Sequence, residues 1–245
     1  SISDTDIASN KSIFQVYQDD TRLLNATLNA FLERFSKCHP VFVDCNDASS
    51  KKGVFTMALR RQLEAKGIAY NVTNLKSDDE AFAKAFTKEK TNVVILNTAR
   101  SPELNEAFTK LERFDQLRPG TPISMFGYTE WLMYAPYDFN HFCKYDTYIP
   151  TTFYYNASST ATTALEKSYR SWFHEPMQQA LPRFAITGYD HAQFFVRGYA
   201  KYGRKFLGSK WQQVYKFLQS PLKFEPVEKG GRINSSFQLI HYLYN

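Results

Sequence analysis

The sequence predicts an α/β fold built on a doubly wound parallel sheet, with an additional mainly helical segment. The first observation is that short apolar runs alternate with amphipathic stretches between residues 12 and 130. The second is the segment TNVVILNTARSPE, residues 91–103, in which an unbroken apolar run leads directly into a helix start. Such a run is typical of a strand that is covered on both faces. Strands that alternate with helices pair in parallel through right-handed crossovers, which gives a doubly wound sheet.

The elements of this predicted sheet follow one another along the chain. Apolar runs bounded by polar residues predict strands at residues 12–17, 40–45, 68–73, 92–97 and 121–126. Helical spacing of apolar residues predicts a helix after each of the first four strands. Their apolar stripes are Leu24, Leu28, Phe31 and Phe35; then Phe55, Leu59 and Leu63; then Phe82, Ala85 and Phe86; then Leu104, Ala107, Phe108 and Leu111. A capping box at 77–80 opens the third helix, and Ser101 is expected to cap the fourth, with Pro102 in its first turn.

The regular alternation stops after Glu130. The aromatic-rich stretch 131–156 has no clear period, and packing beneath loops is favoured over a stacking platform for sugars or bases. Helices are expected from Ser158 to Pro176, from Asp190 to Gly203 and from Ser209 to Gln219. The tail, LKFEPV followed by SFQLIHYLY, predicts a two-stranded antiparallel ribbon at a sheet edge. The predicted domains are an α/β lobe of residues 12–150 with 221–245, and a helical segment of residues 151–220.

Composition limits the classes of partner. The net charge is +6, but 30 basic residues are dispersed among 24 acidic ones, which favours a mixed solvated surface over a nucleic-acid face. No apolar run approaches the roughly 20 residues that cross a bilayer, so we expect no direct membrane insertion. The N-terminal stretch lacks an apolar signal-peptide core, which does not by itself place the protein in the cytoplasm. Three cysteines without CxxC spacing predict free thiols rather than a disulfide framework or a zinc site.

The motifs of common enzyme classes are missing from the sequence. It contains no GxSxG, GxGxxG, GxxxxGK[ST] or HExxH pattern, so we expect no catalytic residues, no cofactor and no metal. Asp44 and Asp47 follow a strand and are candidates for a metal or a phosphoryl group. A receiver-like phosphoryl-acceptor site also requires a lysine after a later strand, and the segment PISMFG, residues 122–127, contains none. Hydrogen bonding within a turn is therefore the favoured role of Asp44 and Asp47. An enzyme that uses Asp44, Asp47 or Cys45 stays open as an alternative class.

Three loops that follow predicted strands, residues 46–50, 98–101 and 128–131, are expected to converge at one edge of the sheet, where open α/β sheets bind ligands. They offer hydroxyls, a guanidinium, a carboxylate and aromatic faces, an inventory that suits a small polar or amino-acid-like ligand. The backbone N–H groups at the Ser101 helix start favour a carboxylate. Ordinary caps and turns are the alternative interpretation. The candidate ligand-binding residues are Asp47, Ser49, Arg100, Ser101, Tyr128, Thr129, Glu130 and Trp131.

The order of these pieces resembles the type I periplasmic binding proteins, such as those that bind branched-chain amino acids for ABC transporters. The resemblance covers most of the chain from Ile13 onward. It is carried by IFQVYQDDTRLLNATLNAFL, VFVDCNDASSKKG, NVVILNTARSPE, ISMFGYTEW, YIPTTFYYN and FHEPMQQALPRFAITGYDHAQFFVRGYAKYG. The last of these, with its Gly188-Tyr189-Asp190, is the most specific. It implies two lobes that close on a ligand, with Arg100 or Ser101 at one contact and Thr129 or Glu130 at another.

The resemblance also implies a location and partners. It points to the periplasm or cell envelope, to an amino acid or cell-wall fragment as ligand, and to a membrane transporter or envelope protein as partner. The chain is most similar to envelope members from Bacteroides-like bacteria, where such domains follow peptidoglycan-binding LysM modules, although no LysM pattern is present. Family members begin with on the order of 100 further residues. The chain is therefore expected to be part of a longer protein or a single-lobe relative, with 151–220 a remnant of the first lobe. The first functional hypothesis is a non-enzymatic solute-binding or ligand-sensing domain of the cell envelope. The second is a scaffolding, peptidoglycan-associated envelope domain that kept the fold without binding a ligand.

Overall fold

The computed structural model describes residues 4–244. The described strands are β1 Phe14–Gln15, β2 His39–Asp44, β3 Asn71–Asn74, β4 Asn92–Leu96, β5 Ile123–Phe126, β6 Thr147–Thr151, β7 Phe224–Pro226, β8 Arg232–Asn234 and β9 Gln238–Tyr242. The described α-helices are α1 Asp4–Ser9, α2 Asp20–Phe35, α3 Gly53–Ala65, α4 Asp79–Ala83, α5 Ser101–Leu117, α6 Ala135–Lys144, α7 Thr160–Phe173 and α8 Phe184–Tyr202. Short 3₁₀ turns lie at 129–133, 203–205 and 210–212.

The chain divides into two compact units. One, called here the sheet unit, comprises residues 24–150 and the chain from Leu239 onward. The other, called the helical unit, comprises the described residues up to Leu23 together with 151–238. This division differs from the predicted one in two segments, since residues 12–23 and 221–238 group with 151–220. The reason is that β1, β7 and β8 pair with one another in a small sheet of their own.

The sheet unit contains a six-stranded sheet with the strand order β3-β2-β4-β5-β6-β9. The first five strands pair in parallel, which confirms the predicted α/β class. All five residues of β4 are buried, as expected for an unbroken apolar run at the centre of a doubly covered sheet. The predicted apolar stripes of α2, α3 and α5 likewise supply the core, including Phe31, Leu59 and Leu111.

Two helix starts differ from the predicted caps. Arg100 occupies the N-cap position of α5, so the expectation that Ser101 caps this helix is wrong. Pro102 does lie in the first turn, where its missing N–H costs nothing. In α4 the cap is Asp78, whose carboxylate accepts a hydrogen bond from the Ala81 N–H at 2.8 Å. The predicted capping box has Ser77 as its cap, whereas the structure has the neighbouring Asp78 in that position.

The aromatic stretch after Glu130 contains two elements that have no sequence signal of their own. Helix α6 has non-helical dihedral angles at Asp138, and this interruption breaks its apolar period. Strand β6 is fully buried but contains Pro150, a residue that argues against a central strand because it cannot donate to a neighbour. The expectation that this stretch is packing rather than a stacking platform agrees with Phe142 and Tyr148, which are both buried.

In the helical unit, β8 pairs in parallel with β1 and antiparallel with β7. The predicted antiparallel ribbon is thus partly right, because β7 does have an antiparallel partner. Its partner is the short β8, however, whereas the SFQLIHYLY segment forms β9 in the six-stranded sheet. The core of this unit is aromatic. It is formed by Phe194, Phe206, Leu222 and Phe224, with Phe14, Val16, Phe195, Tyr202 and Phe217 packed against them.

The predicted helix at 209–219 is wrong, since only a 3₁₀ turn at 210–212 forms there. The backbone N–H groups of Leu218, Gln219 and Ser220 all donate to the carboxylate of Asp190 instead of to carbonyl oxygens four residues earlier. Asp190 itself lies inside α8, which begins six residues before the predicted start. Among the described helices, none is long and apolar enough to cross a membrane.

Candidate functional site

The strand order of the sheet unit places two loops at a topological switch point. β3 and β4 lie on opposite sides of β2, so the order reverses between β2 and β4. Open α/β sheets bind ligands outside the carboxyl ends of the strands at such a point. The loops that follow β2 and β4 bring Asp47, Thr98 and Arg100 together there. Two of the three predicted loops therefore converge as expected.

The carboxylate of Asp47 is the centre of this cluster. Its Oδ1 accepts hydrogen bonds from the Ser49 hydroxyl at 2.6 Å and the Ser49 backbone N–H at 3.0 Å, and its Oδ2 accepts one from the Thr98 hydroxyl at 2.7 Å. The hydrogen bond from Ser49 and that from Thr98, aided by the nearby Arg100 guanidinium, lower the pKa of Asp47 to about 2. Only 2% of the Asp47 side chain is exposed. Asp47 therefore acts as a fixed negative charge that orients its neighbours.

Arg100 is the group in this cluster that reaches solvent. Its Nη1 lies 3.6 Å from Asp47 Oδ1 and 3.4 Å from Glu103 Oε1, yet 55% of the side chain is exposed. The buried Oε2 atom of Glu103 has no hydrogen-bond partner among the described residues. Two carboxylates thus hold one guanidinium at the sheet edge. A guanidinium held in this way presents its remaining N–H groups for a bidentate contact with a carboxylate or phosphate.

A second network ties the two loops to each other. The side-chain amide of Asn97 makes two hydrogen bonds. Its Nδ2 donates to Asp44 Oδ1 at 2.9 Å, and its Oδ1 accepts from the Cys45 backbone N–H at 2.8 Å. The hydroxyl of Ser50 donates to the Asn97 backbone carbonyl at 2.6 Å. No cluster of three metal-ligating side chains occurs among residues 4–244. The side chains of Asp44 and Asn97 thus make hydrogen bonds that hold the two loops in place, in line with the turn-forming role inferred from the sequence.

The third predicted loop, 128–131, is largely covered. Trp131 is fully buried and stacks on Phe142, with ring centroids 5.9 Å apart, and Tyr128 is 6% exposed with its hydroxyl donating to the Leu96 carbonyl. Neither ring offers an open face, which corrects the expectation of aromatic ligand faces. Gly127 allows this packing, because a Cβ at that position would lie 2.2 Å from the Trp131 ring. The sequence could not show which of these aromatic residues point inward.

The remaining predicted residues differ in how accessible they are. Glu130 pairs with Lys52 at 2.6 Å, and the Lys52 ammonium lies 4.8 Å from the centroid of the Tyr128 ring. Thr129 donates its hydroxyl to the Pro150 carbonyl at 2.8 Å. The Ser101 hydroxyl accepts a hydrogen bond from Asn105 at 3.3 Å, as a helix-surface contact rather than a cap. Lys52 is the charged partner that sequence reasoning missed, although it follows Ser50 and Lys51 in the same polar turn.

Cys45, a candidate in the enzyme alternative, is placed unfavourably for nucleophilic chemistry. It is 6% exposed, and burial raises the pKa of its thiol to about 12. The thiolate is the nucleophilic form of cysteine. At neutral pH Cys45 therefore stays a protonated thiol that packs in the core.

The helical unit contains a pocket of its own that sequence reasoning missed. It is open to solvent and has a volume of about 110 Å³. Its wall combines apolar residues such as Phe153 and Pro221 with the hydroxyls of Thr187 and Ser220 and the ring of His191. Burial lowers the pKa of His191. The sequence signal for it was weak, because the lining residues come from five separate segments of the chain.

No protein-family model matches this sequence, and no curated protein matches it. Among solved structures, the chain is similar to a fatty acid ABC transporter substrate-binding protein from Thermomonospora curvata. The identity is 12% and the TM-score is 0.40, over 94% of this chain and 64% of that protein. This chain thus spans less than two thirds of the length of that protein. A similarity at this level transfers no function.

Proposed function

We propose that this chain is a non-enzymatic solute-binding module whose sheet unit holds the anionic end of a small polar solute at Arg100. The observation that carries the proposal is the exposed Arg100 guanidinium, held between Asp47 and Glu103 at the switch point of the sheet. A guanidinium that ion pairs restrain loses less conformational entropy on binding than a free one. An amino acid or a cell-wall peptide fragment carries the carboxylate that this site requires. The resemblance in sequence supports the cell envelope as location and a membrane transporter as partner.

The hydroxyls around Arg100 define what else the solute needs. Ser49 is exposed and already donates to Asp47, so its oxygen is available to accept a hydrogen bond from an ammonium or hydroxyl group. The Lys52–Glu130 pair supplies both signs of charge, Lys52 from the loop that follows β2 and Glu130 from the loop that follows β5. A zwitterionic solute therefore suits the site better than a simple anion does.

The first test is a thermal-unfolding screen of the full chain against free amino acids, short peptides and muropeptides. Each carboxylate-bearing solute is paired with its amide or methyl ester. A solute that binds the native state at 100 times its Kd adds about 2.7 kcal/mol to the free energy of unfolding. We expect the acid form of the true ligand to raise the melting temperature and its amide to have little effect. Equal shifts for acid and amide would contradict the role of Arg100.

A scaffolding role is the second candidate, and one specific observation favours it. The carboxylates of Asp47 and Glu130 both have partners inside the chain, and the aromatic rings of the third loop are buried. Carboxylates that already have partners within the chain are satisfied without a ligand. If no solute of the panel raises the melting temperature and the chain is retained on insoluble peptidoglycan, scaffolding is supported over solute binding.

A further inference from the structure

One segment of the helical unit carries charge of a single sign. Residues 191–224 contain seven lysines and arginines and not one aspartate or glutamate. Six of the seven are exposed, and none of these six forms an ion pair with a carboxylate within residues 4–244. The six are Arg197, Lys201, Arg204, Lys205, Lys210 and Lys216. Unpaired charges of one sign attract an anionic partner over a distance of about one Debye length, ~8–10 Å at physiological salt.

Within this segment, residues 203–212 form a compact loop, called here the basic loop. It is fixed from beneath by Phe206, which is 3% exposed and whose ring lies directly over Gly198 of α8. Gly208 has a positive φ of 62°, and a Cβ there would lie 2.6 Å from the ring of Phe224. The loop conformation therefore follows from the aromatic core below it.

The side chain of Gln212 closes the basic loop. Its Oε1 accepts a hydrogen bond from the Leu207 N–H at 2.6 Å, and its Nε2 donates to the Lys205 carbonyl at 2.9 Å. These two bonds tie the C-terminal end of the loop to the backbone at Lys205 and Leu207. Leu207 and Trp211 then project outward, with 43% and 88% of their surface exposed. The Gln212 bonds hold the loop backbone without any contribution from the Trp211 ring, so the exposure of this ring has no role in the fold of the loop.

We propose that the basic loop docks the helical unit on an anionic lipid surface. Trp211 and Leu207 supply apolar groups for the headgroup region, where tryptophan is enriched. Arg204, Lys205 and Lys210 supply the charges that anionic headgroups attract. The contact is peripheral and requires no membrane-crossing helix. A lipid surface fits better than a nucleic acid because the exposed aliphatic Leu207 has no stacking role toward bases.

The proposal is tested by floating the full chain with vesicles of 70% phosphatidylcholine and 30% phosphatidylglycerol, and with phosphatidylcholine alone. We expect binding to the anionic vesicles only, and weaker binding at higher salt. Replacing two charges, Lys205→Gln with Lys210→Gln, is expected to weaken binding on the order of 20-fold. The matched control, Lys88→Gln with Lys90→Gln, removes two exposed lysines of the sheet unit and is expected to change binding less than twofold.

Tryptophan emission reports the contact directly. In the Trp172→Phe variant, the fluorophores are the buried Trp131 and the exposed Trp211, so a blue shift on adding anionic vesicles reports Trp211. We expect the shift in Trp172→Phe and its loss in the double variant Trp172→Phe with Trp211→Phe. Equal binding to neutral vesicles, no flotation at all, or a shift that survives in that double variant would overturn the proposal. Trp211-dependent binding to a polyanion such as poly(U), without binding to anionic vesicles, would overturn it in favour of a nucleic-acid surface.

Discussion

The buried carboxylate of Asp190 in α8 accepts a hydrogen bond from the backbone N–H of Gln219 at 2.8 Å. The same carboxylate accepts bonds from the N–H groups of Leu218 and Ser220 and from the Tyr215 hydroxyl at 3.0 Å. Asp190 is completely buried. The most specific stretch of the sequence resemblance thus has a structural role, since one aspartate shapes the loop that follows α8.

Asp190→Ala is expected to lower the free energy of unfolding of the helical unit by about 3 kcal/mol, because it leaves three backbone N–H groups without an acceptor, one buried and two partly buried. Asp190→Asn keeps one acceptor oxygen and is expected to cost roughly half as much. Urea unfolding followed by tryptophan fluorescence measures both. Glu175→Ala, at an exposed position, is the control and is expected to stay within about 0.5 kcal/mol of the parent. If Asp190→Ala unfolds like this control, the hydrogen-bond network does not hold the loop.

Two glycines of α8 are expected to respond to alanine with opposite signs. At Gly198 a Cβ would lie 2.3 Å from the Phe206 ring, so Gly198→Ala is expected to destabilise by about 1–3 kcal/mol. At Gly188 no atom lies within 4 Å of the added Cβ, so Gly188→Ala is expected to stabilise by about 0.5–1 kcal/mol through helix propensity. Chemical denaturation of the two variants side by side gives the comparison. Stabilisation by both substitutions would contradict the close packing of Phe206 on α8.

The ionised state of Asp47 is expected to link stability to acid pH. Its pKa is about 2 in the folded protein against an ordinary value of 3.8, so the unfolded chain binds more protons between these values. The contribution of Asp47 is therefore fully present above pH ~4 and is lost as the pH falls toward 2. Asp47→Asn is expected to flatten the decline in stability over this window. Unfolding curves at pH 2, 3, 4 and 7 test this, and an unchanged slope in Asp47→Asn would count against the low pKa.

The sequence predicted the parallel sheet because its strands are continuous apolar runs, of which Val93 to Leu96 is the clearest. Register and strand order cannot be seen in such runs, but the alternation with helices limits the choices to parallel pairing. The convergence of Asp47 with Arg100 followed from the same reasoning, since both come directly after strands. What the sequence could not supply is the direction of each side chain, so Trp131 and Tyr128 were expected to offer faces that are in fact buried.

The failures beyond Glu130 have a common physical cause. Long-range contacts override local preference there: Asp190 takes the N–H groups that a helix at 209–219 needs, and β6 tolerates Pro150 inside a sheet. Local propensity is a weak predictor wherever tertiary contacts satisfy the backbone. The pocket beside His191 and the basic loop were missed for the same reason, since their residues meet only after folding.

The most direct test of the proposed function is isothermal titration calorimetry. The solute found in the thermal screen is titrated into the full chain and into the Arg100→Ala and Arg61→Ala variants, and the three affinities are compared. Arg100→Ala is expected to weaken binding by about 1.5–3 kcal/mol, a loss of roughly 10- to 150-fold, because it removes a charge-assisted contact. The control is Arg61→Ala, an exposed arginine on α3, which is expected to bind like the parent chain. Equal affinity of Arg100→Ala and Arg61→Ala for that solute would contradict the account, because the ligand would then bind away from the switch point of the sheet.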